Sequence, residues 1–575
     1  MVLNPQVLPP GRERRFVPSP VDMGDWTQGE RFFKELENRR VGSKNDLEAW
    51  LKDYSELLGV LSEAGAMRYI RMTEQTDNES FRTDYLMFIE RVAPMAKRAE
   101  FNLNRKFANS PFTRELPDAE YQMMKKRVQN RIVLFREENV ELEKEDEKLG
   151  QQFEGITGAM TVQYEGRTRT MSEMGLYLEE QDRKKREDAW RLIQSRRLAD
   201  ESKLDGVYEE MVRIRSQIAK NAGFENYRDY SFLDRERFDY TPADCYRFHE
   251  AVEKHIVPLV RDVQKRRLEE MKLEELRPWD MAVDAEGRPP LKPFSSTEDL
   301  VRKGRDTLTK VDHIFGENFQ MMVDLDLFDL ASRPGKAPGG YNAELSDHML
   351  PFTFMNAVGR DQDMWTLLHE SGHAFHIFEM RGKQLPYLYR GDNLPSEMAE
   401  VASMSMELMA SSHIEGTFYG AEDARRSIRD HLRSVSVLLP WIATIDAFQH
   451  WVYTHPGHTL SERREAWVRT DSRFNLGDNW TGLEDIRKSY WHRQLHIFLI
   501  PFYYFEYGVA QLGALGIWSR YKDNPKDTVE AYKSALSLGS SKPLPELFQK
   551  AGLPWDFGES VVEKCAADLR RELLA

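Results

Sequence analysis

The chain has 575 residues and a net charge of −14 at pH 7, with 41% hydrophobic and 31% charged residues. This is the balance of a soluble globular protein, and the length allows two or more domain-sized cores. The negative charge offers no basic surface to nucleic acid, so we expect no nucleic-acid partner.

The ends and the cysteines predict a cytoplasmic protein. Residues 1–16, MVLNPQVLPPGRERRF, have no cationic segment followed by an apolar stretch and a small-residue cleavage site, so we interpret them as an extended arm and not as a secretory signal. Cys245 and Cys565 are the only cysteines and lie far apart in the sequence. This argues against a disulfide framework and fits a reducing compartment.

Most of the chain predicts helix. Residues 47–72 and 205–223 place apolar residues three and four positions apart between charged ones, which is the amphipathic helical pattern. Residues 158–175, GAMTVQYEGRTRTMSEMG, alternate around Glu-Gly and predict a small hairpin before a helix that begins near Ser172.

Prolines interrupt the helical pattern after residue 275. A continuous helix is excluded there by Pro278, Pro289, Pro290 and Pro293. We therefore predict a boundary near residue 290, between an N-terminal helical lobe, 1–290, and a second lobe, 291–575.

Residues 331–356, ASRPGKAPGGYNAELSDHMLPFTFMN, combine a glycine-rich turn with an alternating run, Leu350 to Met355, that predicts a strand. The turn is not a phosphate-binding loop, because the lysine precedes the glycine pair and no Ser or Thr follows in the required place.

Residues 368–377, LHESGHAFHI, carry the strongest chemical signal. His369 and His373 are four residues apart, so on a helix they share a face and can direct two imidazoles at one metal ion. This is the spacing of a zinc-binding helix. Glu370 lies beside that face, where it is the candidate general base for a water at the metal.

A catalytic zinc site needs three protein ligands and one open position. His376 lies about 10 Å along the helix axis from His369, and three ligands in line on one helix fit a tetrahedral site poorly. We therefore expect His376 to have a supporting or packing role. The longer pattern with a third histidine six positions after His373 is absent, because Glu379 stands there.

The third ligand is then expected on a later helix. Residues 394–410, LPSEMAEVASMSMELMA, carry Glu397, Glu400 and Glu407, which can share a helix face. Spacing alone does not choose among them.

Residues 496–518 have nearly the length of a membrane span, but Glu506, Gln511, Pro501 and several tyrosines favour a buried helix that lines a cavity. Several side chains in this segment are neutral hydrogen-bond donors, which can stabilise negative charge on a carbonyl oxygen. The candidates are His496, Tyr503, Tyr504 and Tyr507. Because Pro501 disrupts the helix, periodicity does not show which of them converge.

Two segments, HESGHAFH and AEVASMSMELM, resemble the active-site helices of the oligoendopeptidase F and thimet oligopeptidase family of zinc peptidases, closest to the oligoendopeptidase F and Pz-peptidase branch. The similarity extends over roughly residues 200–555 and is most specific at 335–407, whereas the N-terminal part matches only in helical character. On this resemblance Glu400 is the third zinc ligand, and Glu407 orients a ligand by hydrogen bonding.

The resemblance also implies substrate contacts. It places Gly339, Gly340 and Tyr341 in a loop near the substrate. The strand with Phe352 and Phe354 on one side could take the peptide as an added strand, with an ordinary core strand as the alternative. Among the C-terminal donors the family pattern favours His496 and Tyr507, while Tyr503 and Tyr504 compete for a further place.

The sequence therefore predicts a mainly α-helical, two-lobed zinc-peptidase fold around a deep substrate channel, with small β elements near the active site. The expected activity is cleavage of internal bonds in short unstructured peptides, with one Zn²⁺ per chain in the second lobe and no membrane partner. The alternatives are a zinc carboxypeptidase or dipeptidyl carboxypeptidase, and a non-catalytic peptide-binding relative. The oligomeric state is not predicted.

Overall fold

The computed structural model describes residues 8–575, so the first seven residues of the predicted arm lie outside the described range. Within that range the chain is mainly helical with two small sheets, which confirms the predicted fold class. The α-helices in chain order are α1 (Trp26–Asn38), α2 (Lys44–Glu74), α3 (Glu79–Met87), α4 (Ala93–Asn109), α5 (Asp118–Leu134), α6 (Asn139–Gly158), α7 (Met171–Leu176), α8 (Arg183–Leu198), α9 (Glu201–Asn221), α10 (Tyr227–Asp234), α11 (Pro242–Ala251), α12 (Val257–Glu270), α13 (Thr297–Val311), α14 (His313–Asp324), α15 (Asp361–Gly382), α16 (Ser396–Ser411), α17 (Ala421–Thr454), α18 (Leu460–Arg473), α19 (Glu484–Lys488), α20 (Leu495–Leu499), α21 (Tyr504–Asp523), α22 (Pro525–Leu536), α23 (Leu544–Lys550) and α24 (Glu559–Leu573).

The helix predicted at residues 47–72 is α2, and the sequence explains where it begins and which face it buries. The Ser43 side chain accepts a hydrogen bond from the backbone N–H of Asp46 and so caps the first turn. Leu47, Trp50 and Leu51 then recur at helical spacing and are buried. The Trp50 indole N–H donates to the carbonyl oxygen of Leu36, at 2.9 Å, so the buried ring keeps its polar atom paired.

The chain divides into two compact units, and each is assembled from three segments. The first unit comprises the chain up to Val133, Leu291–Ile428 and Gly513–Trp555; the second comprises Leu134–Pro290, Arg429–Leu512 and Asp556–Ala575. The predicted break near residue 290 is one of the crossings between them. The contiguous halves 1–290 and 291–575 nevertheless differ from these units, because an amphipathic pattern shows that a helix buries a face but not which neighbour covers it.

The predicted hairpin lies in the second unit and is confirmed. Strands β1 (Thr161–Tyr164) and β2 (Arg167–Thr170) pair antiparallel. Glu165 and Gly166 form the turn with φ of 50° and 74°, the left-handed conformation that two-residue hairpin turns require. Helix α7 follows at once, close to the predicted start.

A three-stranded sheet lies in the first unit, with β5 (Leu350–Ala357) between β3 (Phe328–Ala331) and β4 (Tyr341–Leu345). Strand β3 is parallel to β5, and β4 is antiparallel to it. The predicted strand is thus present as the central one, with β4 paired to residues 350–354 and β3 paired within residues 353–357.

This position bears on the prediction that Phe352 and Phe354 contact an added peptide strand. Their side chains are 1% and 0% exposed, and the backbone of β5 is already paired on both sides. Both observations favour the core-strand alternative, and contact of Phe352 and Phe354 with substrate stays a prediction.

The apolar segment at residues 496–518 is not one continuous helix. Helix α20 ends at Leu499, and α21 begins at Tyr504 after Pro501 and Phe502, which has a φ of 65°. Among residues 8–575, no helix is both long and apolar enough to cross a lipid bilayer.

Candidate functional site

Helices α15 and α16 build a candidate metal centre in the first unit, and a glycine sets their separation. A Cβ atom on Gly372 would lie 2.5 Å from the carbonyl oxygen of Ala402 and 2.6 Å from the Cα of Ser403. Only glycine therefore allows the two backbones to approach this closely. The start of α15 is also fixed, since the Asp363 carboxylate accepts hydrogen bonds from the backbone N–H groups of Val358, Gly359 and Arg360, at 2.7–2.9 Å.

The structure brings His369, His373 and Glu400 together. Their donor atoms all lie within 4.8 Å of one another. Glu400 Oε2 is 3.5 Å from His369 Nε2 and 3.8 Å from His373 Nε2. Two imidazoles and a carboxylate are a donor set of catalytic zinc sites. The two histidine side chains are 26% and 21% exposed, which leaves an open side for a fourth ligand.

Neighbouring side chains orient these groups. Glu407 Oε1 lies 2.6 Å from His369 Nδ1 and accepts a hydrogen bond from it, so whenever the ring is neutral its proton is on Nδ1 and Nε2, which faces Glu400, can bind a metal ion. The Ser403 hydroxyl donates to Glu400 Oε2, at 2.9 Å. Burial alone would lower the pKa of His369, but Glu407 together with the other nearby carboxylates raises it to about 9 in the metal-free group. Burial and the positive charge of His369 hold the pKa of His373 well below its usual value.

Glu370 is buried beside this group. Within the described residues its Oε2 atom has no hydrogen-bond partner. Burial raises the pKa of its carboxyl to about 7, and the charges of Glu400 and Glu407 act in the same direction against the opposing effect of His369. A carboxylate with a pKa near neutrality suits general-base catalysis. The Asn342 amide on β4 donates to the carbonyl oxygen of Glu370, at 3.4 Å, which places the edge strand beside the base.

His376 and Glu397 lie outside the metal group. Both are buried, and the group that the described residues form on α15 and α16 contains neither. Burial lowers the pKa of His376 to about 4, so its ring is neutral at pH 7. Its predicted supporting role stays a prediction.

The glycine-rich loop passes against α15. A Cβ on Gly340 would lie 3.7 Å from Thr366 Cγ2, three residues before the first histidine of the motif, and Gly339 is exposed with a φ of 96°. The Tyr341 hydroxyl lies 2.6 Å from Thr73 Oγ1, and its ring stacks on Phe354 with centroids 4.8 Å apart. The loop is therefore held near α15, the helix that carries His369 and His373. Its contact with substrate stays a prediction.

The predicted C-terminal donors form an aromatic group in the second unit. The ring centroid of His496 lies 4.8 Å from that of Tyr504 and 6.0 Å from those of Tyr503 and Tyr507. Burial, with a smaller effect of Arg235, lowers the pKa of His496 to about 4, so the imidazole is neutral at pH 7.

A chain of hydrogen bonds defines the tautomer of His496. The Trp441 indole N–H, which can only donate, lies 2.9 Å from Gln494 Oε1 and so fixes the orientation of that amide. Gln494 Nε2 then donates to His496 Nδ1, at 2.6 Å. The proton of the neutral ring is therefore on Nε2, where it is available for donation.

Sequence reasoning missed three residues of the metal centre: Gly372, Ser403 and Asn342. Gly372 carried a usable signal, because a glycine within a buried helix marks a close approach of another backbone. The contacts of Ser403 and Asn342 depend on tertiary packing and had no signal in the spacing.

Two curated bacterial relatives are similar to part of the chain. Oligopeptidase PepF of Bacillus subtilis strain 168 is 24% identical over 322 residues, which cover 55% of this chain and 46% of the relative. An oligoendopeptidase F homolog of Borreliella burgdorferi is 24% identical over 395 residues, covering 66% of this chain and 63% of the relative. The chain thus spans about half to two thirds of the length of these relatives.

The structural similarity covers nearly the whole chain. The structure described as Pz peptidase A with inhibitor 2 superposes with a TM-score of 0.86 and 28% identity over 98% of both chains. The fold predicted from the resemblance is therefore confirmed over its full extent.

Family models match in two places. Residues 176–566 match the model of peptidase family M3, and residues 16–135 match that of the peptidase M3 N-terminal domain. The second match corrects the view that the N-terminal part shares only helical character with the family. Since the first covers more than half of the sequence, the chain belongs to peptidase family M3.

Proposed function

We propose that the chain is a zinc-dependent endopeptidase that hydrolyses internal bonds of short, unstructured peptides. The observation that carries the proposal is the convergence of His369, His373 and Glu400 within 4.8 Å, with the buried carboxyl of Glu370 beside them. A structural zinc site is closed to solvent, whereas this group is partly exposed on one side and so can take a water molecule.

In this proposal His369, His373 and Glu400 hold the zinc ion. When bound, zinc supplies a Lewis acid that polarises the scissile carbonyl and makes water acidic enough to react at neutral pH. Glu370 accepts the proton of the attacking water and passes it to the nitrogen of the leaving amine. Glu407 keeps the His369 ring in the orientation and tautomer that metal binding needs.

His496 and Tyr507 act as neutral donors to the carbonyl oxygen, on which negative charge builds as water adds. The hydrogen bond from Gln494 leaves the proton of His496 on Nε2, which suits this role. A neutral imidazole stabilises the charge by hydrogen bonding without first having to gain a proton.

The substrate class rests on the relatives, whose names describe an oligopeptidase and an oligoendopeptidase. Short peptides are proposed here on that similarity, with Gly339, Gly340 and Tyr341 at the substrate. The cytoplasmic location stays a prediction from the cysteine usage.

Product analysis of one peptide tests the proposal. A decapeptide with an acetylated N-terminus and an amidated C-terminus has no free end, so an endopeptidase still cleaves it, whereas a carboxypeptidase needs the free carboxylate. We expect mass spectrometry to show internal cuts, which stop after chelation and return when zinc is added. Stepwise C-terminal trimming, seen only with an unblocked peptide, would indicate the carboxypeptidase alternative. If the zinc-loaded protein cleaved neither peptide, that result would indicate the remaining alternative, a non-catalytic peptide-binding protein.

A further inference from the structure

A second group of metal-binding side chains is buried in the other unit. Cys245 and His249 are four residues apart on α11, and Asp446 and His450 are four residues apart on α17. All four residues are at most 2% exposed. The donor atoms of Cys245, Asp446 and His450 lie within 4.8 Å of one another. Two helices thus direct a thiol, a carboxylate and an imidazole at one point.

Protein hydrogen bonds do not satisfy this cluster. Asp446 Oδ1 and both ring nitrogens of His450 are buried and have no hydrogen-bond partner among the described residues. His450 Nε2 is 3.2 Å from Asp446 Oδ2 and interacts with it electrostatically, so Asp446 Oδ1 and His450 Nδ1 are the atoms with neither a hydrogen bond nor an ion-pair contact. Cys245 is a free, buried thiol. Unsatisfied polar atoms at this depth cost about 1–3 kcal/mol each, so several of them around one point indicate a missing partner.

A comparable cluster in the first unit shows the difference. Glu63, Asp347 and His348 also place their donor atoms within 4.8 Å of one another. There, His348 Nδ1 lies 2.6 Å from Glu63 Oε1, Glu63 Oε2 accepts from the backbone N–H of Asp347 at 2.7 Å, and Arg14 donates to Asp347 Oδ2 at 2.7 Å. That cluster is complete without an ion, whereas the one on α11 and α17 is not.

The charges and donor atoms of this cluster indicate which kind of ion it would bind. A thiolate, a carboxylate and a neutral imidazole carry two negative charges, which one divalent cation neutralises. Burial and the nearby Asp446 carboxylate raise the pKa of the Cys245 thiol, and metal binding would reverse that effect by displacing the proton. Glu506 pairs with Arg235, at 2.6 Å, as well as with Arg237, at 3.2 Å, so part of the positive charge of Arg237 acts on the cluster and there favours the deprotonated thiol. Thiolate with imidazole and carboxylate is a donor set that suits Zn²⁺.

We propose that Cys245, Asp446 and His450 bind a second, structural zinc ion. The unpartnered Oδ1 of Asp446 allows the carboxylate to bind through both oxygens and so complete four-coordination. His249 Nε2 lies 2.8 Å from Asp446 Oδ2 and holds the carboxylate in place. Because the site is fully buried, the ion enters during folding and its role is to join α11 to α17 within the second unit.

The first test uses the unmodified protein, purified without chelators. Elemental analysis should find about two zinc ions per chain, one in each group. X-ray absorption at the zinc edge should show a sulfur neighbour at about 2.3 Å, which the catalytic group cannot supply because it contains no cysteine. One metal ion per folded chain with only nitrogen and oxygen neighbours would overturn the proposal.

Variants assign the sulfur signal. Cys245→Ser should lose the sulfur neighbour and reduce the metal content by about one ion per chain, while Cys565→Ser, which changes the other buried cysteine, should alter neither. The double variant His369→Ala/His373→Ala should keep about one ion with its sulfur neighbour. That result separates this site from the catalytic one, so failure of either proposal leaves the other testable. If Cys245→Ser does not fold, the spectrum of the unmodified protein still decides.

Discussion

The metal group on α15 and α16 and the aromatic group of α20 and α21 differ in the charges that they carry. The metal group gathers three carboxylates around two histidines, and its electrostatics shift the pKa of His369 up and that of His373 down. The aromatic group contains a neutral histidine and three tyrosines. The first is suited to holding a cation and moving a proton, and the second to accommodating an oxygen that becomes negative.

The two groups also differ in how their geometry is set. In the metal group, one helix supplies two ligands at a fixed spacing, and Gly372 fixes the distance to the helix that supplies the third. In the aromatic group, a proline break separates His496 from Tyr504 and Tyr507. Helical spacing can therefore identify a pair of metal ligands from sequence. Donors on either side of a chain break are brought together only by tertiary structure.

The assignment of the neutral donors is tested by removing one hydroxyl. Tyr507→Phe should lower kcat by about 10²-fold, with little change in zinc content, because one donor to the developing charge is lost. Tyr503→Phe and Tyr504→Phe remove the same hydroxyl from the two neighbouring tyrosines. The variant with the larger fall in kcat identifies which of them also lies at the substrate. An unchanged kcat for Tyr507→Phe would remove this residue from the mechanism.

The proposed orienting role of Glu407 concerns the metal group, so its test measures zinc affinity and not only kcat. Glu407→Gln keeps the shape but removes the charge that faces His369 Nδ1 at 2.6 Å. Zinc affinity, measured by competition with a chelator, should fall about 10- to 100-fold, while kcat of the zinc-saturated variant changes less. Equal zinc affinity in variant and parent would show that Glu407 does not act through the ligand.

The close helix contact is tested by adding a single methyl group. Gly372→Ala places a Cβ 2.5 Å from the carbonyl oxygen of Ala402, so α15 and α16 must separate. We expect the free energy of unfolding to fall by about 1–3 kcal/mol. Gly382→Ala, at the end of the same helix, meets no atom within 4 Å and should be neutral or slightly stabilising. Similar stabilities for both variants would contradict the close contact.

The pH profile distinguishes the charged base from the neutral donors. Glu370 must be ionised to accept a proton, and burial raises its pKa to about 7 in the metal-free group, a value that a bound cation would lower. The kcat/KM should therefore rise with pH along one limb whose midpoint is at or below about 7, with a tenfold change per pH unit on its acid side. A loss of activity as pH rises between 5 and 7 would indicate that His496 acts as a cation instead.

Much of the metal centre could be predicted because it depends on local geometry. The spacing of His369 and His373 on one helix predicted a shared metal, and the adjacent Glu370 followed from the same turn. Glu400 could not be separated from Glu397 by spacing. It meets the histidines because α16 crosses α15 at Gly372, and sequence periodicity contains no information about where two helices cross.

The same physical reason limited two other predictions. Alternation identified the strand from Leu350, but it did not show that neighbours cover both edges and bury Phe352 and Phe354. The prolines near residue 290 coincide with one boundary between the compact units, whereas no such signal marks Arg429 or Gly513, and the predicted lobe boundary stays a prediction. In both cases the sequence pattern identified an element or a break, but not which distant segment packs against it.

The proposed role of Glu370 as the base at a zinc site is tested by the Glu370→Gln variant. The substitution preserves size and leaves all three proposed ligands intact. With zinc content verified to equal that of the parent, kcat for cleavage of the blocked decapeptide should fall by about 10³-fold. Cleavage at close to the parental rate by the fully zinc-loaded variant would contradict the account.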